Sequence, residues 1–166
     1  MHIGELARPT GEDYFDDVLA AVLPAGEVVE IARQMSLEPL PRLVSAARGF
    51  VTSQAACAHS ETMDALELLT SELVTNAVIH ARTALRVGVI MTADYVVVTV
   101  HDLDLGHTEI SPELREGGRG LELVELLADA WDVHKDATGG KTVWFRLRRE
   151  PDADESLTER GNERTT

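Results

Sequence analysis

A chain of 166 residues is long enough for one domain with a substantial core and too short for two. Its 44% apolar and 27% charged content is that of a globular protein, and no stretch approaches the ~18 consecutive apolar residues of a membrane span. With 15 basic against 29 acidic side chains the formal net charge is −14, which argues against direct nucleic-acid binding and against an anionic membrane surface, since both require clustered Lys and Arg.

The single Cys57 excludes a disulfide framework within one chain and fits a reducing compartment. The N-terminus carries no basic start followed by an apolar run, so no signal peptide is expected and the reading is cytoplasmic.

In chain order, Tyr14, Phe15, Val18, Leu19 and Val22 recur at helical spacing before Pro24. They predict a short amphipathic helix over 13–23, docked on the domain or on a partner. A strand is expected at Ile31–Leu37. Pro41 then opens a second helix carrying Leu43, Ala47, Phe50 and Val51 on one face. Ser60, Glu61 and Asp64 supply a cap and early acidic residues for a third helix, which runs to His80 on a stripe of Leu66, Leu69, Leu73 and Ala77.

The period then changes from helix to strand. Residues 84–91 and 95–101 are β-branched runs joined at Thr92-Ala93-Asp94, which predicts a hairpin. Residues 103–118, broken by Pro112 and glycines, predict a loop. A helix over Arg119–Trp131 follows, with Leu121, Val124, Leu127 and Trp131 in register, and then a second hairpin of residues 132–135 and 142–147 across Thr138-Gly139-Gly140. The polar, acidic segment from 149 onward predicts a disordered tail. The expected organisation is an N-terminal extension over 1–28, one domain over 29–148 and a tail over 149–166. Helices first and hairpins later predict an α+β two-layer sandwich, with helices on one face of a largely antiparallel or mixed sheet.

Glu72, Asn76 and His80 stand four residues apart on the third helix, and each four-residue step turns about 400°, so they form one slowly drifting row. That row overlaps the apolar stripe instead of opposing it. A buried polar group without a partner costs about 1–3 kcal/mol, so a helix built only for packing has no use for these three there. Read alone, the row is also compatible with chance at the edge of the buried face.

The strand ending Val100-His101-Asp102-Leu103-Asp104-Leu105-Gly106 offers a carboxylate that could accept a bond from an amine such as the exocyclic nitrogen of adenine; taken alone, a solvated Asp at a strand-to-loop switch is the favoured reading. A calcium loop is excluded because its sixth place, which requires glycine, is His107. Gly117, Gly118 and Gly120 open a helix and leave amides that phosphate oxygens can approach, although a glycine cluster taken singly is more often just a turn. They make no dinucleotide fingerprint, since Leu123 stands at the third glycine position, and Gly140-Lys141-Thr142 makes no P-loop, since Lys135 stands at its first. The histidines show no metal-ligand spacing.

Taken in order, a helix with Glu-x₃-Asn-x₃-His, a strand ending Asp-x₃-Gly, a glycine-opened helix and a final strand beginning Gly-Gly-Lys-Thr-Val-Trp-Phe resemble the Bergerat-fold (GHKL) ATP-binding family that includes gyrase and the histidine kinases. The chain is most similar to the actinomycete anti-sigma-factor serine kinases, through "SELVTNAVIHA", "GRGLELVELLADAW" and "GGKTVWF". The resemblance spans about 37–147 and implies the histidine-kinase-like ATPase fold. It implies ATP and Mg²⁺ as cofactors, with Glu72 polarising the attacking hydroxyl and Asn76 holding Mg²⁺. By the same resemblance Asp102 recognises adenine, Gly106 lines the base pocket, and Gly118, Arg119, Gly120 and Leu121 form the phosphate-facing glycine box. Thr142 is implied as a hydroxyl near Asp102, and His80 is assigned to packing.

The implied function is a serine/threonine protein kinase that sequesters a sigma factor and phosphorylates an antagonist protein, and the subfamily implies a homodimer. Asp104 departs from the pattern, standing at the first glycine of Asp-x-Gly-x-Gly. Its left-handed backbone would cost about 1 kcal/mol relative to glycine. Its charge, if ~4 Å from a phosphate, would oppose binding by up to about 4 kcal/mol at an effective dielectric near 20. The alternative implied by Asp104 is a catalytically weak or inactive module that regulates by contact alone.

Overall fold

The computed structural model describes residues 18–55, 59–80, 83–103, 119–136 and 140–150. The first residues of the expected N-terminal helix (13–17), residues 104–118 of the expected loop over 103–118 and residues 151–166 of the expected tail over 149–166 lie outside the described residues, as do Cys57, Asp104, Gly106 and Gly118.

Five strands form one sheet in the order β1-β2-β3-β5-β4: β1 (Ile31–Leu37), β2 (Leu85–Met91), β3 (Tyr95–Asp102), β4 (Ala130–Lys135) and β5 (Lys141–Arg148). Every pairing among them is antiparallel. Three helices lie on one face: α1 (Val44–Gln54), α2 (Ser60–His80) and α3 (Arg119–Leu127). This is the α+β architecture expected from helices followed by β-branched hairpins.

Alternation along each strand decides which side chains meet the helices. Leu85, Val87, Val89 and Met91 of β2, Val96, Val98 and Val100 of β3, and Phe145 and Leu147 of β5 form one core with Ala47 and Val51 of α1, Leu66, Leu69, Leu73, Val74 and Val78 of α2, and Val124 of α3. The opposite face is not bare. Residues 18–22 are helical, and Val18 and Val22 bury themselves on Ile90, Val97 and Trp144. Arg146 donates to the carbonyl of Val22 at 2.9 Å, satisfying an acceptor at the end of that helical stretch. The described part of the expected amphipathic segment, from Val18 to Leu23, is thus docked on the domain itself.

Local chemistry accounts for most boundaries. Pro41 opens a 3₁₀ turn (Pro41–Leu43) that runs into α1, where a missing N–H costs nothing. The β2–β3 turn closes with Thr92 N–H donating to the Tyr95 carbonyl and Tyr95 N–H donating to Thr92 Oγ1, each at 3.0 Å.

One boundary departs from expectation. The helix over 119–131 stops at Leu127, and Trp131 lies in β4, paired with Phe145. The break falls at Asp129, whose N–H donates to the Arg146 carbonyl at 2.9 Å and whose carboxylate accepts from Arg148 N–H at 2.6 Å. Trp131 fits both a helical stripe and a strand facing the core, and the unpaired edge of β5 resolves the choice.

Candidate functional site

The helices lie side by side in the order α1, α2, α3, with α1 over β1 and β2, α2 over β3 and β5, and α3 beside β4. Arg48 of α1 donates to Ser71 Oγ at 3.4 Å, which identifies the flank of α2 that faces α1. Glu72 and Asn76 stand about 100° and 140° around the helix from Ser71, on the flank turned toward α3. Both are half-buried, forming the rim of the buried face. His80 is exposed at the end of α2, so the packing role expected for it is corrected: the helix has run past its core contacts by that point.

Hydrogen bonds fix the direction of each element. Near the start of α2, Thr62 Oγ1 donates to the carbonyl of Arg148, at the end of β5. Just beyond its C-terminal end, Thr83 Oγ1 accepts from Leu103 N–H at 3.2 Å, immediately after β3. The C-terminal half of α2, with Glu72 and Asn76, therefore lies toward the end of the sheet that carries Asp102. Beyond the other end of α3, Asp129 is tied to Arg146 and Arg148, so the N-terminus of α3 points back toward that same end. Arg119 and Gly120 belong to its first turn, and Leu121 is half-buried against the core. The C-terminal half of α2, the end of β3 and the N-terminus of α3 thus lie toward the same end of the sheet.

Asp102 is the last residue of β3 and is 3% exposed, on the helix-covered face. Its neighbour on β5 is Lys141, whose Nζ lies 3.9 Å from Asp102 Oδ2; the two side chains are 4% and 15% exposed. Thr142 is corrected in its expected position. It pairs with His101, and adjacent strand residues project from opposite faces, so Thr142 emerges on the outer face while Asp102 emerges beneath the helices. The side chain beside Asp102 is Lys141.

Behind this pair the β4–β5 hairpin is clasped to β3. The Asp136 carboxylate meets His101 Nε2 at 2.9 Å through Oδ2 and accepts from Gly140 N–H at 2.7 Å through Oδ1. A Cβ at Gly140 would stand 2.7 Å from the Asp102 carbonyl oxygen and 2.7 Å from His101 Nε2. Glycine is required here by close approach, which seats the first residue of β5 against the last of β3. Neither the clasp nor Lys141 figured among the candidates read from the sequence. Lys141 was accessible by counting in steps of two back from Phe145; the Asp136–His101 contact carried no local signal.

The chemistry of these groups fits a nucleotide. A buried carboxylate at a strand end accepts from an amine, and a Glu and an Asn on the facing helix flank present oxygens of the kind a magnesium ion takes, with phosphate and water completing its shell. Among the described residues there is no group of three or more His, Cys, Asp or Glu that could hold a metal ion. Among the described residues no helix is long and apolar enough to cross a membrane.

No curated protein matches the chain. A family model described as a histidine kinase-like ATPase domain matches residues 37–147, more than half of the chain, running from the end of β1 to Leu147 of β5 and so taking in every motif above. The chain belongs to the histidine kinase-like ATPase family.

Proposed function

We propose that the protein is an ATP-dependent serine/threonine protein kinase of the anti-sigma-factor type, which sequesters a sigma factor and phosphorylates an antagonist protein. The membership of the family supports ATP binding. The observation that carries the reading further is the convergence of Glu72 and Asn76 of α2, Asp102 of β3 and the N-terminus of α3 at one end of a single small domain.

In this reading Asp102 accepts from the exocyclic amine of adenine, and its burial excludes competing water. Asn76 contributes an oxygen to Mg²⁺. Backbone amides of Gly118, Arg119, Gly120 and Leu121 meet the phosphates at the positive end of the α3 dipole, and Gly106 lines the base pocket. Bound ATP supplies the transferable phosphoryl group. Glu72 orients the attacking serine or threonine hydroxyl and takes its proton, the step for which a positioned base is typically worth 10²–10⁴-fold. Thr142 projects from the face of the sheet opposite to Asp102 and takes no part in this reading of the base.

The proposed partners are proteins: a sigma factor whose basic regions meet the acidic surface, an antagonist as phosphoacceptor, and a second copy of the chain. The test is incubation with Mg-ATP and candidate antagonist domains, followed by intact mass. A single added phosphate on one domain, lost with Glu72→Ala, supports the kinase. Nucleotide binding without transfer to any candidate would favour a module that acts by contact alone, the reading to which the Asp104 charge points.

A further inference from the structure

Lys141 and Asp102 are register-opposed on β5 and β3, project beneath the helices and bring an ammonium to 3.9 Å from a carboxylate oxygen. That spacing is an ion-pair contact somewhat longer than a hydrogen bond, so the two heads are close neighbours on one face of the sheet. Resting on the reading of Asp102 as the purine-facing acceptor, we propose that Lys141 is a second base-reading residue, donating to the ring nitrogen N1 of adenine while Asp102 accepts from the adjacent N6 amine.

The argument is one of complementary edges. Adenine presents a donor, N6–H, directly beside an acceptor, N1. A carboxylate alone satisfies the first and leaves the second to solvent. Asp102 and Lys141 together offer an acceptor beside a donor, the matching order. An ammonium offers three donors and the carboxylate about four acceptor positions, so engaging the base does not require the ion pair to break.

Burial makes the contact selective. With Asp102 4% and Lys141 15% exposed at their side chains, a base lacking the N1 acceptor would leave one donor of a largely desolvated ammonium without a partner. The position is held from behind. The carboxylate of Asp136 bonds both His101 and the Gly140 amide, and Gly140 approaches the Asp102 carbonyl too closely for any side chain. The backbone of Lys141 therefore has little freedom to withdraw from Asp102.

The experiment is calorimetric titration of the full chain with ADP and with 1-deaza-ADP, in which a C–H replaces N1, both with Mg²⁺. It uses the wild type, Lys141→Met and Lys141→Arg, each checked for folding by circular dichroism. The expected result is that the wild type prefers ADP over 1-deaza-ADP by about tenfold, that Lys141→Met binds both equally and at the weaker level, and that Lys141→Arg, which keeps a donor, retains most of the preference. Equal wild-type affinity for the two nucleotides overturns the role of Lys141 while leaving Asp102 as reader. An equal loss for both nucleotides in Lys141→Met overturns it as well, by assigning Lys141 to support of the fold. Absence of any ADP binding by the folded wild type removes the nucleotide reading and this inference together.

Discussion

His101 Nε2 on β3 and Asp136 Oδ2, just beyond β4, lie 2.9 Å apart, tying the mouth of the β4–β5 hairpin to a strand that β5 separates from β4. The other oxygen of Asp136 accepts from Gly140 N–H, and Asp136 N–H donates to the Gly140 carbonyl at 3.0 Å, so one side chain closes the hairpin and anchors it. Asp136→Ala is expected to lower stability by about 2 kcal/mol, the cost of removing a shared acceptor from part-buried donors. Because β5 begins at Lys141, the same change should also weaken ADP binding. Denaturant unfolding and calorimetry on one preparation measure both.

Gly140 offers a sharper version of that test. A methyl there meets the Asp102 carbonyl oxygen and His101 Nε2, each at 2.7 Å, and backbone has no side-chain rotamer by which to yield. Gly140→Ala is expected to cost about 1–3 kcal/mol, as overpacking does, and to reduce ADP affinity more than Gly49→Ala. At Gly49, in α1, an added methyl would meet nothing within 4 Å, and alanine favours the helix, so that variant should be neutral or slightly stabilising.

Asp102→Asn exchanges the buried acceptor for an amide that can present either an oxygen or an NH₂ group, and it removes the charge facing Lys141. The expected outcome is loss of the rise in melting temperature that Mg-ADP gives the wild type, read by thermal shift at saturating nucleotide. A wild type whose melting temperature is indifferent to Mg-ADP would refute the nucleotide site.

Glu72 and Asn76 should separate chemistry from binding. Glu72→Ala is expected to reduce phosphoryl transfer at least 100-fold with ADP affinity changed no more than about threefold, since the carboxylate acts on the incoming hydroxyl. Asn76→Ala should abolish the dependence of nucleotide affinity on Mg²⁺. Parallel titrations with Mg²⁺ and with EDTA make the comparison.

Thr70 is fully buried in α2, and its hydroxyl has no hydrogen-bond partner among the described residues. Valine has nearly the same shape without the stranded oxygen. Thr70→Val is expected to stabilise the fold by about 1 kcal/mol, raising the melting temperature by roughly 2–4 °C, which calorimetric unfolding would measure.

The strands were legible because their periodicity was strong. Ile31–Leu37 matches the expected strand, α2 the expected helix over 60–80, and the hairpin turn at 92–94 lies where small and polar residues interrupt two β-branched runs. Trp131 is ambiguous from sequence because a residue at the junction of helix and strand satisfies both patterns locally. The choice belonged to the free edge of β5, which no local window contains. Residues 18–22 were legible as an amphipathic helix, but the surface that buries them is Ile90, Val97 and Trp144, drawn from three different strands.

By itself the sequence determined the kinds of groups available and the elements that carry them: a carboxylate and an amide on one helix row, an aspartate at a strand end, glycines at a helix start, and an acidic chain. Those are local properties, set by composition and spacing. Which groups face one another was decided by strand register and by the order of the helices across the sheet. Moving one residue along a strand reverses its face, and for that reason the neighbour of Asp102 is Lys141 and not Thr142.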